Sequence, residues 1–152
     1  MNPVSDYIGE MRRTRASGLA VNETSYYPAL QGLLNAAGAS VRPRVHCVLT
    51  PRNQGAGIPD AGLFTHDQLQ DAAVSEFHEG LSPARGVVEV KGTGDDVAAI
   101  AAGEQVRRYL HRYGQVLVTN YRDFLLVVRG PGGEPLPAER YSLAESEAEF
   151  WA

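Results

Sequence analysis

Gly86-Val87-Val88-Glu89-Val90-Lys91 is a short apolar run carrying two charges two residues apart. Valine-rich and opened by a glycine, it reads as a β-strand, and residues two apart in a strand point to one face. Glu89 and Lys91 therefore project together, while Val88 and Val90 pack on the other side. A strand buried between helices normally carries apolar residues on both faces, so two charges within it need partners. Lys91 is also the only lysine in the chain, against thirteen arginines. Arginine does not give up its proton in a protein, whereas a lysine ammonium is a compact charge on a flexible stem whose pKa shifts on burial. Position 91 thus suits chemistry on water; the competing reading is one lysine left by chance in an arginine-biased composition.

The segments on either side of this strand alternate between helical and extended patterns. Residues 5–15 read as a short helix, followed by a turn around Ser17 and Gly18. Tyr27, Leu30, Leu34 and Ala37 recur at helical spacing, with Gly38 as the stop and Pro28 tolerated in the first turn. Glu23 then falls at the helix entry, where the macrodipole also favours a carboxylate. Residues 41–50 resemble a strand in which Pro43 signals an edge or an early position. A loop through Gln54, Gly55, Ala56 and Gly57 leads to a second short strand, 58–64, carrying Asp60. Residues 65–84 read as a polar surface excursion, helical over 68–77. Downstream, the turn Gly92-Thr93-Gly94-Asp95-Asp96 introduces a helix over 96–113, capped by Asp95 or Asp96 and closed by Gly114. Residues 115–119 and 124–128 are β-prone, and Asn120-Tyr121-Arg122-Asp123 between them suits a hairpin. The Gly/Pro-rich stretch 130–137 reads as the end of the compact body, and 141–152 as an acidic helical tail leading toward a further domain.

The length of 152 residues fits one domain, and the 21% charged content fits a folded protein. There is neither an eighteen-residue apolar run nor a basic-then-apolar N-terminus, so no membrane is expected as a partner. The expected location is the cytoplasm, and the single Cys47, in an apolar run, reads as a small buried residue of a reducing compartment. The net charge of −4 sits wholly beyond residue 130, where five glutamates face Arg140 alone; residues 1–130 hold 13 acids and 13 bases. Arginines cluster at 12, 13 and 15, at 42 and 44, and at 107, 108 and 112, groups able to contact phosphates or simply to solvate a face.

Asp60, entering the neighbouring strand, is the nearest carboxylate available to Glu89. Together they could hold a divalent cation through hard oxygen ligands, as Mg²⁺ prefers, with the Val90 carbonyl as a third donor. Lys91 could then position or deprotonate a water, which is the chemistry of phosphodiester hydrolysis. An ordinary Glu–Lys pair on an exposed sheet face is the alternative. On the following helix Gln105 and Tyr109 stand four apart and share a face, with Arg108 and Arg112 in an adjacent row. An amide and a phenol there suit orienting Lys91, a water or a phosphate, although an exposed amide and a packed ring would look the same. Other chemistries find no support: four histidines and one cysteine lack zinc-site spacing, Gly92-Thr93-Gly94 lacks the G-K-[ST] of a P-loop, and no Gly-x-Ser-x-Gly elbow occurs.

Glu23 before Tyr27-Pro28, then Pro59-Asp60, Glu89-Val90-Lys91 and Gln105-x-x-x-Tyr109, in this order, resembles the PD-(D/E)XK nuclease superfamily, particularly its RecB-like and Mrr-like members. The stretches G-I-P-D-A-G-L-F, R-G-V-V-E-V-K and Y-G-Q-V-L-V-T-N-Y-R-D-F are similar to the N-terminal endonuclease domain of single-chain restriction-modification enzymes. The resemblance covers about residues 20–130. It implies an α/β, restriction-endonuclease-like αβββαβ core, a central mixed sheet flanked by helices, with the site where the second and third strands diverge. It implies metal ligation by Asp60 and Glu89, to which the strand reading adds the Val90 carbonyl, catalysis by Lys91, support from Gln105 and Tyr109, and an accessory acid at Glu23. Mg²⁺ is the implied cofactor, with Mn²⁺ as substitute. The implied partner is double-stranded DNA, and the clustered Arg107, Arg108 and Arg112 are the expected contacts to its phosphates.

A nuclease domain over 1–130 is thus expected, with 131–152 leading to methyltransferase and target-recognition domains outside this chain, and with transient homodimers for double-strand cleavage. Two alternatives remain: a catalytically silent nuclease-like domain that binds DNA or docks protein, and a resolvase or repair nuclease of the same superfamily.

Overall fold

The computed structural model describes residues 2–19, 23–51, 56–74 and 81–152, apart from the side chains of residues 23 and 72–74. Helix α1 (Pro3–Ala16) starts at Asn2, whose side chain accepts from the Val4 and Ser5 N–H groups. A 3₁₀ turn, Glu23–Tyr26, leads into α2 (Tyr27–Ala39). Gly38, expected to stop this helix, lies inside it. A Cβ there would sit 2.0 Å from the Val45 carbonyl oxygen, so glycine allows α2 to lie directly on the next strand.

Strand β1 (Val45–Leu49) is shorter than the expected 41–50, and Pro43 precedes it. Strand β2 (Ala61–Thr65) begins one residue after Asp60 and runs directly into helix α3 (His66–Val74). Strand β3 (Val87–Val90) is buried along its whole length. The helix expected over 96–113 is two helices, α4 (Val97–Ala101) and α5 (Glu104–Tyr113). Gly103 is extended between them (φ −79°, ψ 167°) and caps the second helix, in keeping with glycine's poor helix propensity. Of the two expected caps, Asp95 and Asp96, it is Asp96 that caps α4 through the Ala98 N–H, and Gly114 closes α5 as expected.

Strands β4 (Gln115–Thr119) and β5 (Asp123–Arg129) form the expected hairpin. Residues 130–137, read from sequence as the end of the compact body, instead turn the chain into a sixth strand, β6 (Pro135–Ser142), paired with β5. The prolines mislead a local reading. Gly130 N–H donates to the Glu134 carbonyl at 2.7 Å, and antiparallel alternation from that pair turns Pro135 and Pro137 away from β5. Their missing N–H groups fall on the open edge, where proline discourages further pairing.

The sheet order is β1-β2-β3-β4-β5-β6, with only β3 and β4 parallel. Helices α1 and α2 cover one face, meeting Val88, Val90, Ala61, Cys47 and Tyr121. Helices α4 and α5 cover the other, over Val87, Val116, Val118, Leu125 and Val127. The acidic tail ends in a short helix, α6 (Glu147–Trp151), whose Phe150 is 1% exposed within the α1–α2 layer. Burying a side chain of that size contributes about 2 kcal/mol, so α6 belongs to the folded body. No described helix is long and apolar enough to cross a membrane.

Candidate functional site

Strand β3 splits its charges and valines between the two layers as its alternation requires. Val88 and Val90 enter the α1–α2 layer, and Val87 the α4–α5 layer, the side to which Glu89 also projects. Glu89 is only 6% exposed. Its Oε1 lies 3.3 Å from Lys91 Nζ, whose side chain is 45% exposed. The ammonium thus reaches from a buried carboxylate toward solvent.

β3 pairs with β4 over all four of its residues, but with β2 only at Val87 and Val88. Beyond Val88 the two strands part. In a continued ladder Val90 would face residue 59, and Pro59 has no N–H to give the Val90 carbonyl. Asp60 spans the gap instead, its Oδ2 accepting the Val90 N–H at 2.7 Å. The N–H and C=O of one strand residue point to the same edge, so the Val90 carbonyl opens into the same gap. The other Asp60 oxygen accepts from the Tyr27 hydroxyl at 2.5 Å. Tyr27 was legible only as a helix-spaced aromatic, and nothing local in the sequence links it to a residue 33 positions away.

Gln105 and Tyr109 share the inner face of α5, as their spacing predicts. Gln105 Nε2 donates to the Ala56 carbonyl at 3.3 Å, and its Oε1 accepts from Arg108. Gly57 has φ +101°, and a Cβ there would come within 3.2 Å of Gln105 Nε2 and 3.8 Å of the Tyr109 hydroxyl. The segment before Pro59 thus passes directly over the amide and the phenol. Burial pushes the Tyr109 hydroxyl up to about 12; Glu89 and, more weakly, Asp60 add to the rise, and a hydrogen bond with Gln105 opposes it. Tyr109 is therefore a proton donor at neutral pH, and both carboxylates act on it.

Arg107, Arg108 and Arg112 are exposed on the outer side of α5. With His111, Glu104, Ala56, Gly132 and Gly133 they line an open groove of about 700 Å³. The backbone of Glu23 opens the 3₁₀ turn ahead of Tyr27, but its side chain lies outside the described residues, as do Gln54 and Gly55. Among the described residues no three His, Cys, Asp or Glu side chains gather around a common point. Among the described residues, the oxygen groups near the strand split include the Asp60 and Glu89 carboxylates and the Val90 carbonyl.

Two further groups meet expectation or exceed it. Cys47 is buried and its thiol is pushed up to about 11 by that burial, as suits a packing residue. His46 Nε2 and His66 Nδ1 lie 3.1 Å apart across β1 and the start of α3, a pairing that no sequence spacing announced.

No family model matches the chain, and no curated protein matches it. Among solved structures, the cryo-EM structure of a DrdV–DNA complex superposes with a TM-score of 0.62 at 19% identity, over 97% of this chain. This chain spans 13% of the length of that DrdV chain. The likeness is one of fold: a mixed α/β sheet flanked by helices, consistent with a restriction-endonuclease-like fold, as the sequence led us to expect.

Proposed function

We propose that this chain is a Mg²⁺-dependent DNA endonuclease domain of the PD-(D/E)XK type, and that it serves as the cleavage module of a restriction-modification enzyme. The observation carrying this reading is the Asp60 carboxylate bridging the split between β2 and β3, together with the buried Glu89 carboxylate paired to the half-exposed Lys91 ammonium. The donor set there is all oxygen and carries two negative charges, which fits Mg²⁺ or Mn²⁺ rather than a softer metal. Asp60, Glu89 and the Val90 carbonyl would hold it. When bound, such an ion supplies Lewis-acid stabilisation of charge on a phosphate and lowers the pKa of a water.

The chain's own groups do the rest. Lys91 directs an ammonium from the cleft toward solvent, where it orients a water and offsets charge on the scissile phosphate. Tyr109 keeps its proton and donates, and Gln105 fixes the segment that passes over the site. Arg107, Arg108 and Arg112 face the adjoining groove with charge suited to a DNA backbone. The fold likeness to a protein solved in complex with DNA supports DNA as the partner; methyltransferase and target-recognition parts outside this chain complete the proposal.

Cleavage of supercoiled plasmid with Mg²⁺ or Mn²⁺, parent beside Lys91→Ala, tests the reading. Nicking or linearisation by the parent that disappears in the variant is the expected result. Plasmid DNA bound by the parent but left uncut by both proteins, in this chain and in a fusion to its recognition partner, would point to the silent DNA-binding reading instead.

A further inference from the structure

The loop after Lys91 is fastened from two directions by groups with no part in the site described above. Lys91 donates its N–H to the Thr119 carbonyl at 2.9 Å, on the β4 side. On the β2 side no described strand accompanies it, because β2 leaves β3 after Val88. The following residues close as a turn, with Asp95 N–H donating to the Gly92 carbonyl and Gly92 N–H to the Asp95 carboxylate, both at 2.9 Å. From the β4–β5 connector, Asn120 Nδ2 donates to the Asp95 carbonyl at 2.7 Å and Arg122 Nε to the Thr93 carbonyl at 2.8 Å.

The second fastening comes from the C-terminal helix. The Thr93 hydroxyl donates to Glu147 Oε1 at 2.7 Å, 54 residues further along the chain, and accepts from Trp151 Nε1 at 3.3 Å. Trp151 is itself held, with the Arg15 guanidinium 4.4 Å from its ring and the Tyr26 ring 5.6 Å away. One hydroxyl thus ties the loop after the ammonium-bearing residue to α6, and through Trp151 to Arg15 of α1 and to Tyr26 of the 3₁₀ turn that precedes Tyr27.

We propose that Thr93 is a positioning residue for Lys91, and that α6, through Glu147 and Trp151, sets where the ammonium stands relative to Glu89. The catalytic consequence rests on the nuclease reading; the positional claim does not. The Lys91 side chain is long and half-exposed, so its reach follows its Cα, which lies beyond the point where the β2–β3 pairing ends. The Thr93 hydroxyl supplies a tertiary restraint on the loop by donating and accepting at once, which serine reproduces and isosteric valine does not. Displacements of about 1 Å at a reacting group cost roughly 10²-fold in rate, so a modest shift of the loop is enough to matter.

Because Lys91 is the only lysine, ¹³C-dimethylation gives one side-chain amine signal, which reads its surroundings without metal or DNA. Thr93→Val is expected to move that signal while leaving the melting temperature within a few degrees, and Thr93→Ser to return it. Glu147→Ala, on the exposed side of α6, is expected to move it in the same direction as Thr93→Val. In plasmid cleavage Thr93→Val is expected to lower kcat about tenfold or more with KM little changed, and serine to restore it. A signal unmoved by both Thr93→Val and Glu147→Ala, or one that serine fails to restore, overturns the proposal. A signal that moves as expected in a protein whose parent cuts no DNA keeps the positioning role and overturns the nuclease reading alone.

Discussion

The Asp60 carboxylate accepts the Val90 N–H at 2.7 Å across the point where β2 and β3 separate. A side chain there replaces a ladder bond, so an acidic group is drawn into the sheet plane beside an unpaired stretch of strand edge. Asp60→Asn keeps an oxygen able to accept from Val90 but removes the charge. It is expected to fold with a melting temperature close to the parent's and to lose Mn²⁺ binding in a calorimetric titration, with cleavage down about 10²-fold or more. Unchanged Mn²⁺ affinity would remove Asp60 from the ligand set.

Tyr27 holds the other Asp60 oxygen from α2. Partners that orient a ligating carboxylate are typically worth 10–100-fold in metal affinity or activity. Tyr27→Phe retains the ring packed against the apolar layer and removes only the donor. A loss of about tenfold or more in Mn²⁺ affinity at little cost in stability is therefore expected. Equal affinity in the two proteins would make the contact purely structural.

Tyr109 links the site to alkaline stability. Its folded pKa of about 12 stands above the ordinary value of 10.0, so the folded state binds the phenolic proton more tightly than the unfolded chain does. Between these values the native state holds more protons, and stability falls as pH rises through that window, with its full contribution present below pH 10. Urea denaturation from pH 9 to pH 12 should show this decline, shallower in Tyr109→Phe. An identical slope in the variant would place the proton loss elsewhere.

Phe150 tests whether the C-terminal segment belongs to the domain. Nearly fully buried in the layer of α1 and α2, it should cost about 3–5 kcal/mol when cut to alanine. Leu136→Ser, on the open β6 edge at 46% exposure, should stay within about 0.5 kcal/mol. Chemical denaturation of the two variants would separate a packed helix from a linker, and similar small losses in both would favour the linker.

The sequence by itself determined what short-range periodicity encodes. Alternation in 86–91 placed Glu89 and Lys91 on one face, i and i+4 spacing put Gln105 with Tyr109, and the Asp95-Asp96 pair, Gly114 and the 120–123 connector marked where elements begin, stop and turn. These follow from neighbours along the chain, so they survive without knowing what packs against them. Only the tertiary structure decided which edge Pro135 and Pro137 present, because proline is compatible with a strand once its absent N–H faces away from the partner, and that depends on β5. It likewise decided that Tyr27 meets Asp60, that Thr93 meets Glu147 and Trp151, and that Gly38 serves close packing rather than a helix end. Such contacts join residues tens of positions apart, and their geometry is set by how helices seat on a sheet whose order no local spacing records.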